Sequence, residues 1–232
     1  VPQYDVVDRH TFQQSIVRPR RHLALHYLLM RDSVHGSMKD EVTLDGNYLK
    51  VKDQKVRVIS GGQPGTIPWD IYDVDIVIDA TGRFLKKSDL AMHLDSGAKK
   101  VFTTRNPQEK IDRYVIPGIN DSTIESSDRI ISTTSSTTQV LALMLKMLDE
   151  SFGLERAMMT TVHAYTADQP LADAAGLDLR RSRSAVENII PNSTFAPSIV
   201  EEIMPRFKGK IDGIAFNVPV PNGSCVDLTT EL

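Results

Sequence analysis

The chain has 232 residues, 41% of them apolar and 25% charged, which excludes wholesale disorder and gives length for one large domain or two small ones. Its 27 basic and 30 acidic residues leave a net charge of −3, too balanced to carry a nucleic-acid reading on bulk electrostatics. One cysteine, Cys225, excludes an internal disulfide and a multi-cysteine zinc site, and no apolar run reaches the roughly 20 residues of a membrane-spanning helix.

The first residue is Val1, and the stretch up to Arg21 lacks the apolar centre of a signal peptide. Arg18, Arg20 and Arg21 form a basic cluster that suits either an RNA contact or a solvated edge. Val6-Val7-Asp8 is β-prone, and Leu23, Tyr27 and Met30 share a helical face, which predicts a helix up to about Arg31. His22 and His26 stand four apart on it without a third ligand, so helix surface is a better reading than metal. From Val42 to Ile59 short alternating runs flank Asp45-Gly46, a hairpin signal. Gly61-Gly62-Gln63-Pro64-Gly65 has neither a P-loop lysine nor dinucleotide spacing and reads as a turn.

Val74–Asp79 predicts an apolar strand ending in Ala80-Thr81-Gly82. A helix with Leu90, His93 and Leu94 follows, then Gly97 and a strand over Lys100–Thr104. Strand, helix and strand at this spacing imply a right-handed parallel βαβ unit, with ligands at the carboxyl ends of the strands, where Thr81-Gly82 would sit. Further strands are predicted at Tyr114–Ile119 and Arg129–Ser132, then a helix turning Val140, Leu141, Met144, Leu145 and Leu148 to a core. After Gly153, Ala157–Tyr165 reads as a long strand and Asp168–Arg183 as an extended arginine-rich loop. Gly213–Val218 and Cys225–Thr230 flank Asn222-Gly223 as a second hairpin. The expected organisation is a parallel first half over 1–135 and an antiparallel α+β second half over 136–232.

Six stretches together resemble phosphorylating glyceraldehyde-3-phosphate dehydrogenase: Asp32–Gly36, Ala80–Gly82, Gly97–Val101, Met159–Thr166, Asn188–Pro191 and Val226–Thr229. The resemblance runs from about Asp5 to the end and implies a partial Rossmann-like sheet lacking its first strand, followed by that family's catalytic α+β domain. The family's chemistry uses a cysteine thiolate, a histidine base, NAD and inorganic phosphate. Its nucleophile motif, Ser-Asn-Ala-Ser-Cys-Thr-Thr-Asn, falls on Ser132–Gln139, so Ser136 stands where the cysteine would be. A serine hydroxyl cannot be brought to an anion as a thiol can, because it must lose its proton during attack. His163 matches the family base. Thr137, Thr166 and Thr194 match its phosphate-contacting hydroxyls, and Asn217 falls on its phosphate-binding arginine, where an amide brings no charge. Phe195 replaces a glycine and is expected to crowd that pocket. Arg180, Arg181 and Arg183 offer charge from the loop or remain solvated.

For the cofactor, Asp8, Thr81, Gly82 and Thr104 match family positions. The family's glycine-rich turn would fall before Val1 and its closing helix after Leu232. The resemblance therefore implies a chain truncated at both ends, with relict sites and no bound cofactor. On that reading it is a catalytically inactive accessory subunit, covered by protein partners in a larger assembly that an organelle would suit, in a reducing compartment that is cytoplasmic or mitochondrial. An active-site-altered NAD-dependent dehydrogenase is the alternative.

Overall fold

The structure, a computed structural model, describes residues 5–9, 11–15, 22–38, 42–59 and 63–232. Arg18, Arg20, Arg21, Gly61 and Gly62 lie outside the described residues. The chain divides into two compact units, 1–115 with 123–133, and 116–122 with 134–232.

In the first unit β1 (Asp5–Arg9) pairs antiparallel with β2 (Thr11–Ser15). Helix α1 (His22–Met30) turns Leu25 into a cluster with Val42, Leu49, Val56 and Val58. Leu23 and Tyr27 are exposed, so the buried face runs through Leu25 and Leu29. His26 Nε2 lies 2.5 Å from the Val42 carbonyl oxygen, which ties the helix to the next strand. Strands β3 (Val42–Asp45), β4 (Tyr48–Val51) and β5 (Gln54–Arg57) form an antiparallel meander. Asp45 pairs with Tyr48 across the expected two-residue turn, with Gly46 at φ +57°.

The same unit holds β6 (Ile76–Asp79), α2 (Lys87–Asp95), β7 (Lys100–Thr103), β8 (Arg113–Tyr114) and β9 (Ile130–Ser132). The sheet order is β8-β9-β7-β6 and every pairing is parallel, as the βαβ spacing requires. Trp69, Val77 and Ala98 are buried together, and Leu90 of α2 packs with Val101, Ile111 and Ile130. Gly97 makes the tight exit from α2 at φ +110°; a Cβ there would stand 2.6 Å from the Asp70 amide nitrogen. The strand expected over Tyr114–Ile119 is shorter. After Tyr114 the backbone turns, with Asn120 Oδ1 accepting from the Ile116 amide at 2.8 Å.

In the second unit α3 (Ser136–Phe152) opens on an N-cap, Ser135, whose Oγ accepts from the Thr138 amide at 3.2 Å. It closes at Gly153, φ +76°. Its buried stripe is Thr138, Leu141, Ala142 and Leu145, whereas Val140 is exposed. The inward position expected of Val140 belongs to Ala142, because the i, i+3, i+4, i+7 stripe starts at Thr138.

Strands β10 (Arg156–Ala164), β11 (Ile190–Asn192), β12 (Ile211–Val218) and β13 (Ser224–Glu231), with helix α4 (Ala196–Ile203), complete the unit. The sheet order is β11-β12-β10-β13, with β10 and β12 parallel and the other two pairings antiparallel. The second hairpin therefore does not form: β12 and β13 are separated by β10. Pro219 and Pro221 bring no amide donors to a ladder. The carbonyls of Val220 and Gly223 instead accept from the Tyr165 and Ala164 amides, laying the connection across the end of β10. Leu141, Leu145, Met159, Val200 and Phe207 form the core.

Candidate active site

Only Gly153–Glu155 separate α3 from β10, so the strand returns alongside the helix in the opposite direction. The 17 helical residues rise about 25 Å and the 9 strand residues span about 30 Å. Leu141 and Leu145 pack on the sheet face that carries Met159, the face of every second residue up to His163. Matched length and reversed direction bring Ser136, at the helix start, and His163, at the strand end, to one end of the unit. Register then places Asn217 of β12 and Ser224 of β13 on either side of His163.

His163 Nδ1 lies 2.8 Å from the Ala164 carbonyl oxygen. A carbonyl can only accept, so Nδ1 carries the ring proton and Nε2 holds the lone pair that a base requires. Ser136 makes no hydrogen bond to His163 among the described residues. It is exposed in the first turn of α3, where backbone N–H groups have no intrahelical acceptor and the helix dipole is positive. That end of the helix suits an oxyanion or a phosphate oxygen. Thr137, half-buried, shares it.

Asn217 is 7% exposed and fully engaged: its Nδ2 donates to the Ala164 carbonyl at 3.1 Å and its Oδ1 accepts from Asn192 Nδ2 at 3.0 Å. The amide serves the sheet end and presents no charge to a ligand. Thr166 Oγ1 donates to Asp168 Oδ1 at 2.5 Å, and Arg181 reaches Asp168 Oδ2 at 2.5 Å. Of the three loop arginines, Arg181 thus joins a site residue, whereas Arg183 pairs with Asp173. Asp168 was missed by sequence reasoning, which saw it only as the start of a polar loop. Thr194 Oγ1 accepts from the Ala196 amide at 3.2 Å and helps start α4. Phe195 is the residue before α4. It is 66% exposed, because as N-cap of α4 its backbone takes the turn while the ring faces outward.

Of the positions that the resemblance assigns to the cofactor, Thr81, Gly82 and Thr104 lie at the carboxyl ends of two adjacent parallel strands. Asp79, the last residue of β6, accepts at Oδ1 from the Thr81 amide at 2.9 Å and the Thr81 hydroxyl at 2.7 Å. Its backbone carbonyl accepts from the Thr104 amide at 3.1 Å, just beyond β7. Gly82 stands at φ +65°. The side chain of Asp8 lies outside the described residues. Asp79 is the residue sequence reasoning passed over; its signal is a carboxylate closing an otherwise apolar strand. No group of three or more His, Cys, Asp or Glu is placed to hold a metal among the described residues, and no described helix is long and apolar enough to cross a membrane.

Known proteins identify this arrangement. The family model of the glyceraldehyde 3-phosphate dehydrogenase NAD binding domain matches residues 14–87, and that of the C-terminal domain matches residues 135–232. The chain belongs to the glyceraldehyde-3-phosphate dehydrogenase family. It is 44% identical over 209 residues to glyceraldehyde-3-phosphate dehydrogenase 1 of Bacillus subtilis, covering 90% of this chain and 62% of that protein. The Geobacillus stearothermophilus glyceraldehyde-3-phosphate dehydrogenase gives the same identity and coverage, and the Streptomyces coelicolor enzyme is 44% identical over 207 residues. The chain thus spans about 62% of the length of these relatives.

The expectation that the chain has no cofactor is overturned by the NAD binding domain match and by relatives that are dehydrogenases by name. The structure fits the group: a carboxylate-fixed turn with a positive-φ glycine stands at the strand ends where dinucleotides bind in parallel sheets.

Proposed function

We propose that this chain is an active-site-altered dehydrogenase of the family, oxidising an aldehyde phosphate with NAD. The observation that carries the proposal is His163 held with Nδ1 on the Ala164 carbonyl and Nε2 free, at the same end of the unit as the start of α3. Thr81, Gly82 and Thr104 would hold the cofactor, and Thr137, Thr166 and Arg181 would bind substrate phosphate. Ser136 Oγ adds to the aldehyde carbon while His163 Nε2 takes its proton, forming a hemiacetal. The free N–H groups of α3 stabilise the oxyanion of that addition. NAD, when bound, accepts the hydride that takes the hemiacetal to an ester. Inorganic phosphate or water then cleaves the ester, and His163 returns its proton to Ser136 Oγ. A serine is the slower nucleophile here, since a hydroxyl is not ionised beforehand as a thiol can be.

The test is NADH formation by the purified chain with glyceraldehyde 3-phosphate, NAD and phosphate, beside His163→Gln. Slow turnover that depends on His163 is the expected result; a rate equal to the protein-free blank overturns the catalytic reading. Exposed Leu171, Leu177, Leu179 and Ile189 support a second reading, an accessory subunit covered by other proteins. That reading predicts a silent chain that migrates from gently lysed source cells in a complex with other proteins rather than alone.

A further inference from the structure

We infer that Trp69, His93 and Asp79 form a buried positioning relay that fixes the Thr81-Gly82 turn for the dinucleotide, an inference that rests on the NAD-dependent reading. All three side chains are deeply buried: Trp69 is 0% exposed, Asp79 2% and His93 4%. Trp69 Nε1 donates to His93 Nδ1 at 3.1 Å. An indole N–H can only donate, so Nδ1 holds a lone pair and the ring proton sits on Nε2. Nε2 faces Asp79 Oδ2 at 3.7 Å. This is too long for a hydrogen bond, and Oδ2 has no hydrogen-bond partner among the described residues. The other carboxylate oxygen, Oδ1, is spent on the Thr81 amide and hydroxyl, and the Asp79 carbonyl holds the Thr104 amide.

The arrangement has a direction. A fully buried indole sets the tautomer of a buried imidazole, and the imidazole turns its N–H toward one oxygen of a carboxylate. That attraction orients the carboxyl plane, so that the second oxygen meets Thr81. A carboxylate closing an apolar strand is costly to bury without partners, and a core of aliphatic residues would stabilise the strand alone. What the Asp79 side chain does that an aliphatic one would not is fix the backbone turn assigned to the cofactor at Thr81, while the bond to the Thr104 amide comes from the backbone carbonyl that any residue offers. His93 acts through Asp79 and is a positioning residue.

The experiment combines NMR of the whole chain with calorimetry, and its first readout needs no cofactor. In the unmodified protein, long-range nitrogen–proton correlation should show His93 neutral with its proton on Nε2; a proton on Nδ1 overturns the relay. The second readout is amide hydrogen exchange in His93→Gln, which keeps a donor near the Nε2 position, and in His93→Leu, which removes it. Exchange at Thr81 should accelerate at least tenfold in His93→Leu and stay within about threefold in His93→Gln. Acceleration at Thr81 that only matches that at Val77 and Val101 would show general destabilisation and overturn the inference. Should His93→Leu not fold, the tautomer and the behaviour of His93→Gln decide it. Calorimetry with NAD comes last: the dissociation constant should rise about tenfold in His93→Leu and little in His93→Gln. An unmodified chain without measurable NAD affinity would defeat the NAD-dependent reading alone, leaving the tautomer and exchange results to judge the relay.

Discussion

His163 and Asn217 stand opposite each other on adjacent parallel strands and converge on one acceptor, the Ala164 carbonyl oxygen, at 2.8 and 3.1 Å. The shared carbonyl orients the imidazole and at the same time ties the end of β12 to β10. Asn217 continues the chain of bonds to Asn192 on β11, so three strands are pinned at the level of the base.

Asn217→Ala removes both of its bonds and leaves Asn192 Nδ2 without this acceptor. Loss of a buried hydrogen-bond partner costs about 1–3 kcal/mol, and urea unfolding should show a decrease in that range. His163 keeps its own bond to Ala164, so its neutral tautomer should stay on Nδ1. A variant as stable as the parent would mean that the amide is not part of the sheet's support.

Much of this was legible in the sequence because local signals and tertiary structure agree there. Val74–Asp79, Leu90 and Gly97 announce a parallel unit by spacing alone, and a tight turn follows Asp45 as its chemistry demands. The second hairpin was misread because Asn222-Gly223 reports only that the chain turns. It does not report that β10 has already taken the place between β12 and β13. Ser136, His163 and Thr166 of the candidate site were reached through the resemblance, and the topology brings Ser136 and His163 to one end of the second unit. Asp79 and Asp168 were hidden because a carboxylate in sequence looks the same whether it is solvated or clasping a threonine.

A charge pair in the first unit gives a pH prediction. The Arg113 guanidinium, and then the Glu125 amide, hold the Asp128 carboxyl below its ordinary range, while burial opposes them. A carboxyl lowered by folding contributes stability that is present above its unfolded value, near 3.8, and is lost as pH falls through the lower folded value. Asp128→Asn should therefore be less stable than the parent at neutral pH, with the two curves converging in acid. Thermal melts from pH 7 down to about 2 test this; parallel curves at every pH would contradict it.

Gly97→Ala should destabilise the first unit. Gly97 has φ +110°, which L residues rarely adopt, and the added methyl would stand 2.6 Å from a backbone nitrogen and 2.7 Å from Asp70 Cβ. Neither neighbour is the free end of a flexible side chain. Strain of this kind costs on the order of 1–3 kcal/mol, so the melting temperature should fall by several degrees. An unchanged melt would show that the turn after α2 relaxes freely.

Ser136→Cys tests whether the end of α3 is built for an anionic nucleophile. A free thiol has a pKa of about 8.5 and is only a few per cent ionised at neutral pH. The positive end of α3, with its unpaired N–H groups, favours the thiolate, and each unit of lowering raises its population about tenfold. Cys225, exposed within β13 opposite Val162, provides a reference thiol in the same molecule. Iodoacetamide at neutral pH, read by peptide mapping, should therefore label the new cysteine at least tenfold faster than Cys225. Turnover with aldehyde phosphate should rise by at least about a hundredfold, because the nucleophile no longer awaits proton removal. KM should stay near its parent value, since Asn217 still brings no charge to the substrate phosphate and Arg181 still spends part of its charge on Asp168. Equal labelling of the two thiols would show that the helix start does not activate Ser136 and would remove the covalent step from the proposed reaction.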